Sequence, residues 1–452
     1  MKKLTTGFLI GFIGLLSTAE ASNLRHHPNH LFVKMKQGEE LVKSPLIKSA
    51  KKLFGNLYLV KTTNIEQLAG TLNDSGSVEY IQKDFFAGKS EMPKHEILDE
   101  AGLLVKRLQH FDFTSFNDPE VGKLWAFNSK AGLDVSGAYD ALPSTEAKEI
   151  IVAVVDTGVD HNHEDLKDIM WSNEKEIRGN GIDDDNNGYI DDIHGLNTLV
   201  RDAQGRATMN TMASHWHGTH VAGTIAATQN NGTGIAGVAN NVKIMAIRTV
   251  PDNADELDSD IVEAFLYAAN NGAKVINCSF GKKVNEGGMV VRDTINQISK
   301  KGVIVVASAG NDSSGPFSWH NNDVDQKFPA SFDSENLLVI ASTTSSGGLS
   351  SFSNIGPTTV DVGSPGSNIY STINGNRYSM ASGTSMAAPN ASGVVAMVMG
   401  YNPTLKNTTI KKILMDSVTM VPEFKGRIVT GGRLNLKSAL LKAAARRNTP
   451  RI

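Results

Sequence analysis

Ile151-Val152-Ala153-Val154-Val155-Asp156-Thr157-Gly158-Val159 is an apolar run that ends in a carboxylate and a glycine turn. A strand that is apolar at every position, rather than at alternate ones, is buried on both faces. Four further runs of this kind follow, at Lys243–Arg248, Lys274–Cys278, Val303–Ala307 and Leu337–Ala341. Helix-length segments separate them. In Asp260–Asn270, Ile261, Ala264, Phe265 and Ala268 share one face, and Val290–Ser299 is a second such segment. Buried strands alternating with helices predict an α/β domain with a doubly wound, mainly parallel sheet and helices on both faces. Its site is expected beyond the carboxyl ends of the strands, where Asp156 stands. On its own, an Asp in that position reads more readily as a cap on the next turn.

Upstream of this domain the pattern is different. His30–Met35, Leu57–Lys61 and Val78–Gln82 read as strands and Ile65–Leu72 as a helix, making a small α+β module over about 22–90. A charged stretch from Gly88 to His110 reads as a linker. The first residues, Met1-Lys2-Lys3, the apolar Leu4–Leu16 and Ser17-Thr18-Ala19-Glu20-Ala21, have the three parts of a secretory leader, with cleavage expected after Ala21. A membrane anchor needs ~20 apolar residues, and no segment reaches that length. The expected boundaries are therefore 1–21 for the leader, 22–110 for the module and linker, and 111–452 for the large domain.

Composition narrows the function classes. Hydrophobic residues are 40% of the chain and glycine adds 42 of 452, an apolar share of about 49%, typical of globular proteins. Lys plus Arg total 44 against 47 for Asp plus Glu, a net charge of −3. That offers no broad basic field for nucleic acid. The single cysteine, Cys278, allows no internal disulfide and no cysteine-based zinc site, which leaves packing or an oxygen-bound metal to supply stability.

Two more strings carry chemistry. His217-Gly218-Thr219-His220-Val221-Ala222-Gly223 opens a helix rich in small residues, which bring His217 close to the sheet. The positive end of the helix dipole favours a neutral imidazole there. His217 and His220 lack the intervening Glu of a His-Glu-x-x-His zinc motif, which argues against a metal clip. Ser379-Met380-Ala381-Ser382-Gly383-Thr384-Ser385-Met386-Ala387-Ala388-Pro389 places Ser385 at the start of another helix, with Pro389 expected in its first turn. Free N–H groups at a helix start can face an anion, although a serine there can also be only a cap.

The order Asp156…His217…Ser385, with these surrounding strings, resembles the subtilisin-like serine peptidases, the subtilases. The resemblance runs from about Asn117 to Leu436 and includes Asn277-Cys278-Ser279-Phe280-Gly281, Ala309-Gly310-Asn311 and Phe328-Pro329-Ala330-Ser331. It implies a secreted serine endopeptidase acting on polypeptides as a monomer. Ser385 would be the nucleophile, His217 the base, Asp156 its orienter, and the Asn311 amide with the Ser385 N–H the oxyanion donors. An extended substrate would pair beside Ser279, Phe280 and Gly281, with Ala307, Ser308 and Ala309 as the opposite pocket wall. Lys327, before Phe328-Pro329, stands where relatives often have a smaller residue. Pointing inward, its ammonium would oppose basic substrate side chains and accept Glu; turned to solvent, it would leave an apolar preference intact. The 22–90 module resembles the inhibitory propeptide of the family, with processing implied between about 88 and 116.

Calcium is the expected ion. Asp183, Asp185 and Asn187, followed by Gly188 and Tyr189, reproduce the start of an EF-hand loop. The twelfth position is His194 rather than Glu, so a closing carboxylate is expected from Asp191, Asp192 or elsewhere. A second site is implied by the resemblance, from Asp165 and the loop residues Gln229, Asn231, Thr233 and Ile235. The alternative to an enzyme is a catalytically silent calcium-binding relative, which should lack at least one of Asp156, His217, Asn311 or Ser385. An esterase of the α/β-hydrolase type would need Ser before Asp before His and a second glycine, which Gly383-Thr384-Ser385-Met386-Ala387 lacks.

Overall fold

In the computed structural model, which describes residues 26–86, 115–142, 147–252, 256–283, 288–315 and 318–447, the chain divides into two compact units, Met1–Phe86 and Ala87–Ile452. The leader expected over 1–21, the linker expected over 88–110 and nearly all of the expected processing stretch lie outside the described residues.

The first unit is an antiparallel sheet with one helix. Its strands are β1 (His26–Met35), β2 (Ile47–Phe54), β3 (Leu57–Thr62) and β4 (Val78–Phe85), in the order β2-β3-β1-β4. Helix α1 (Ile65–Asp74) begins at Asn64, whose side chain accepts the Gln67 N–H at 3.0 Å. Leu31, Val33, Met35, Val60, Leu68 and Leu72 form the core. Strand β2 is the element that the sequence reading passed over. It lies at the sheet edge, its sequence IKSAKKLF has no buried residue, and such charged edges lack the apolar alternation that marks a strand.

The second unit contains a ten-stranded, mainly parallel sheet. The five apolar runs become β5 (Ile150–Asp156), β8 (Val242–Arg248), β9 (Val275–Cys278), β10 (Ile304–Ser308) and β11 (Leu337–Thr343). Added to them are β6 (Gly195–Arg201), β7 (Ala207–Thr208), β12 (Val362–Pro365), β15 (Thr419–Met420) and β16 (Gly432–Arg433). The order is β15-β16-β12-β11-β10-β9-β5-β8-β6-β7, with only the β15–β16 and β6–β7 pairs antiparallel. From β5 the chain first builds toward β8 and β6, then returns past β5 to add β9, β10 and β11 on the other side. The carboxyl ends of β5 and β9 therefore flank a topological switch point, where open α/β sheets hold their ligands.

Two helices complete that edge. α3 (His217–Ala226) and α6 (Thr384–Tyr401) are buried at every position, their polar residues included, which places both helices inside the molecule. A hairpin, β13 (Ile369–Ile373) with β14 (Arg377–Ala381), covers α3, and the Ser371 hydroxyl donates to the His220 carbonyl. Helices α4 (Asp258–Asn270) and α5 (Val290–Ser299) match the two segments read from the sequence, α4 starting two residues early.

Candidate active site

Asp156 is the last residue of β5, His217 the first of α3, and Ser385 the second of α6; all three are buried. His217 Nδ1 lies 2.7 Å from Asp156 Oδ1, which also accepts the Thr157 N–H at 2.8 Å. The close approach depends on Gly218. A Cβ there would lie 2.1 Å from the Gly158 carbonyl oxygen and 3.2 Å from the Asp156 Cβ. With its Nδ1–H given to the carboxylate, the imidazole presents Nε2 as an acceptor, and that atom is buried without a hydrogen-bond partner.

Ser385 is held differently. Its hydroxyl donates to the Ser279 carbonyl at 3.0 Å, and no bond joins it to His217. The reverse contact also exists, since the Ser279 hydroxyl donates to the Ser385 carbonyl at 2.8 Å. Pro389 explains why that carbonyl is available. α6 begins at Thr384, so Pro389 is the sixth helical residue, past the first turn in which it was expected. Proline has no N–H to give to the residue four before it, and Ser279 takes that place.

The Asn311 side-chain oxygen, Oδ1, accepts both the Thr384 N–H at 2.8 Å and the Thr384 hydroxyl at 2.9 Å. This fixes which end of the amide is which and turns its NH2 group away from Thr384. The Thr384 hydroxyl in turn accepts the Gly310 N–H at 3.1 Å. Gly310 has φ +107°, and a Cβ on it would meet the Asn354 amide nitrogen at 2.5 Å, so only glycine fits this turn. The Ser385 N–H, at the second position of α6, has no intrahelical carbonyl within reach. Sequence reasoning did not single out Thr384, because nothing in spacing or composition marks a threonine as the anchor of a side chain 73 residues away.

His220 takes no part in a metal clip. Its Nε2 lies 3.0 Å from the Ile369 carbonyl and 3.2 Å from that of Ser379, so this nitrogen carries the proton and donates. Burial, together with the neighbouring His217, brings its pKa down to about 3.

Ser279, Phe280 and Gly281 follow β9 directly; Ala307 and Ser308 end β10, its parallel neighbour, and Ala309 follows it. Lys282 and Phe328 exchange both backbone hydrogen bonds at 2.8 Å, which ties the segment after Gly281 to the one bearing Lys327. The Lys327 ammonium is neither a bare charge nor turned to solvent. It lies 3.1 Å from Asp312, the residue after Asn311.

A carboxylate from before the acidic loop joins it. Glu176, Asp183 and Asp185 each offer an oxygen, all within 4.8 Å of one another. Among the described residues, no lysine or arginine pairs with any of the three. Asn187 binds into the same loop, its N–H reaching both Asp183 and Asp185 at 3.0 Å. Asp191 and Asp192 are engaged elsewhere. Asp191 accepts the N–H groups of Gly179, Asn180 and Gly181, while Asp192 accepts Asn173, Asn187 and the Tyr267 hydroxyl. The Tyr189 hydroxyl donates to Glu263. His194, at the twelfth position, has Nδ1 3.0 Å from the Trp171 carbonyl and Nε2 2.8 Å from Arg178.

At the second candidate site, Asp165 accepts the Asn231 amide at 2.8 Å and the Ile235 N–H at 2.9 Å, and burial pushes its pKa up to about 6. Thr233 donates its N–H to Asn231, and Gln229 points its NH2 group at Tyr139 and the Gly237 carbonyl. Asp118 joins this loop through the N–H groups of Asn230 and Asn231, a contribution that its distance in sequence concealed.

Residues 147–438 match the model of the Subtilase family, Peptidase_S8. The chain is 33% identical over 341 residues to a thermophilic serine proteinase of a Bacillus species (strain AK1), an alignment covering 75% of this chain and 68% of that one. It is 31% identical over 361 residues to subtilisin-like protease 1 of Plasmodium berghei, covering 76% and 58% of the two chains. To an extracellular protease of Xanthomonas campestris it is 33% identical over 340 residues, covering 70% and 55%. The chain thus spans only part of the length of these relatives, 58% for the Plasmodium berghei protease. Among solved structures, one titled as proteases from Pseudoalteromonas arctica PAMC 21717 superimposes with a TM-score of 0.59 at 25% identity, over 73% of this chain and all of that one.

Proposed function

The chain belongs to the subtilase family, and on that premise we propose that it is a secreted serine endopeptidase, active as a monomer and made as a zymogen that processes itself. The observation that carries this reading is the buried imidazole fixed by Asp156, with its second nitrogen unpartnered, packed beside α6, whose second residue is Ser385.

In the proposed reaction the Ser385 hydroxyl leaves the Ser279 carbonyl for His217 Nε2, a contact that tightens when substrate is bound. His217 takes the proton as Oγ attacks the carbonyl carbon, and Asp156 stabilises the imidazolium. The oxyanion is held by the Asn311 NH2 group and the Ser385 N–H. His217 then protonates the departing amine, leaving an ester on Ser385. Water, deprotonated by the same imidazole, hydrolyses this ester and returns the hydroxyl to Ser385. The substrate backbone lies along Ser279–Gly281 as an added strand, which suits unfolded polypeptide.

The module over about 22–90, of which the structure describes 26–86, serves as the inhibitory propeptide in this reading. Calcium is structural. The oxygen-only donors Glu176, Asp183 and Asp185, free of competing cations, suit a hard cation, with Asn187 as a further oxygen ligand. Asp165 and Asn231, with Asp118, would hold a second ion. Export agrees with extracellular proteases among the relatives, and among the described residues no helix is long and apolar enough to cross a membrane.

The test is expression of Ser385→Ala in a host lacking other proteases. The reading expects no hydrolysis of an unfolded protein substrate and accumulation of the unprocessed precursor. Mature-sized protein from the variant would contradict self-processing, and residual hydrolysis at the wild-type rate would contradict the nucleophile.

A further inference from the structure

A chain of buried side chains joins the helix that carries the nucleophile to the strand that leads to Ser279. Ser392 lies two helical turns beyond Ser385 on α6, and its hydroxyl donates to Asn277 Oδ1 at 2.9 Å. Asn277 stands in β9, two residues before Ser279, and its NH2 group donates to Ser279 Oγ at 2.9 Å. The Ser279 hydroxyl donates in turn to the Ser385 carbonyl at 2.8 Å, and the Ser385 hydroxyl returns a bond to the Ser279 carbonyl at 3.0 Å. All four residues are buried, so water offers these groups no replacement partner.

The chain has one sense. Ser392 commits Asn277 Oδ1 as an acceptor, which turns the NH2 group toward Ser279. A Ser279 oxygen that accepts from this amide keeps its own proton for the Ser385 carbonyl. Removing the amide would release the direction of every hydroxyl along the path.

Two observations make this chain more than core packing. Asn277 does not need its side chain to keep its place, because its backbone is paired on both sides, with Val154 of β5 and Val306 of β10. The Ser385 carbonyl, for its part, cannot be anchored inside its own helix, since Pro389 has no N–H to offer. The tie to Ser279 stands in for that bond, and Asn277 sets it while being held from α6 itself.

We propose that Asn277 is a positioning residue for the reaction. By fixing the Ser279 hydroxyl on the Ser385 carbonyl, it sets the start of α6, and with it the Ser385 hydroxyl, within reach of a carbonyl carbon bound along Ser279–Gly281. The inference rests on the peptidase reading and adds to it a residue that touches neither substrate nor the reacting atoms. Without the amide, substrate still pairs with the segment after β9, but the nucleophile is no longer registered against it.

The experiment measures kcat and KM on one peptide amide, well below the melting midpoint of each protein. The enzymes are wild type, Ser392→Ala, Asn277→Ala and the double variant. In Asn277→Ala kcat should fall at least about tenfold, since misplacing reacting groups by about 1 Å costs up to about 100-fold. KM should stay near the wild-type value, because the backbone that pairs with substrate is unchanged. Ser392→Ala frees only the far end of the chain and should lower kcat about two- to fivefold, the equivalent of one hydrogen bond. The two side chains act through one path, so Ser392→Ala should have no further effect on kcat once the Asn277 amide is gone. An amide that only supports the fold would lower the melting midpoint and leave kcat untouched. Wild-type kcat in a folded Asn277→Ala, a loss confined to KM, or independent losses of kcat from the two substitutions overturns the proposal. Should Asn277→Ala not fold, Ser392→Ala carries the test, and wild-type kcat in that variant overturns the proposal equally. Hydrolysis of the peptide by wild type, abolished in Ser385→Ala, reports on the peptidase reading separately.

Discussion

Replacing Thr384 by Val keeps the shape of the side chain and removes one oxygen from the centre of the site. Two hydrogen bonds go with it, the one donated to the Asn311 oxygen at 2.9 Å and the one accepted from the Gly310 N–H at 3.1 Å. The Gly310 N–H is left buried without a partner, which costs about 1–3 kcal/mol of stability. Asn311 keeps one anchor, the Thr384 N–H at 2.8 Å. Losing the other weakens the hold on the amide by about 1 kcal/mol, equivalent to about a fivefold fall in rate if all of it is lost from the transition state. The ceiling is loss of the Asn311 donor altogether, about 100- to 1000-fold, a figure that comes from a subtilisin and not from this chain. The expected result lies between these limits and falls on kcat, with KM little changed, because the oxyanion exists only after attack. Thr384→Ser retains the hydroxyl and should keep most of the rate. Steady-state kinetics on one peptide and urea unfolding of the three proteins measure both effects. A Thr384→Val enzyme with wild-type kcat, or a Thr384→Ser enzyme as impaired as Thr384→Val, would refute the reasoning.

Ser279→Ala leaves the Ser385 carbonyl without a donor and should lower stability by about 1–2 kcal/mol in denaturant unfolding. Adding Pro389→Ala supplies an N–H four residues on and should recover part of the loss; equal damage from Pro389→Ala in both backgrounds would show that the two groups do not share that carbonyl. Calcium at 100 times its dissociation constant should stabilise the protein by about 2.7 kcal/mol over chelator, and Glu176→Gln should reduce the gain; identical melting midpoints with calcium and chelator would exclude both sites. Asp312 titrates below its unfolded value, so its contribution is present above about pH 4 and is lost as the pH falls through the depressed folded value. The stability gap between wild type and Asp312→Asn should accordingly be flat from neutral pH to about 5 and close below about 4. A gap that widens on acidification would reverse the sign of the argument.

The sheet was legible because its strands are apolar at every position, and five of them stood out between helical segments. Strands such as β16 and β15, two residues each, and the lysine-bearing β2 carry no such signal. At the site, Asp156, His217, Ser385 and Asn311 were readable because each stands in a string of small residues and glycines that the close packing demands. Their supports were not. Thr384 holding Asn311, Ser279 filling the bond that Pro389 cannot make, and Asp312 pairing with Lys327 are contacts between distant segments, fixed by the fold and not by local pattern. Glu176 belongs to the same class, since an EF-hand reading looks forward along the chain for its closing carboxylate, whereas the carboxylate that groups with Asp183 and Asp185 comes seven residues before Asp183.

The most direct test is covalent labelling with a fluorophosphonate, which reacts with a serine hydroxyl only where a neighbouring base and an oxyanion site activate it. The account predicts a single adduct per chain, mapped by peptide mass to Ser385, formed by wild type and lost in His217→Ala. An unlabelled mature protein, an adduct on another serine, or labelling of Ser385 that persists unchanged without His217 would contradict it.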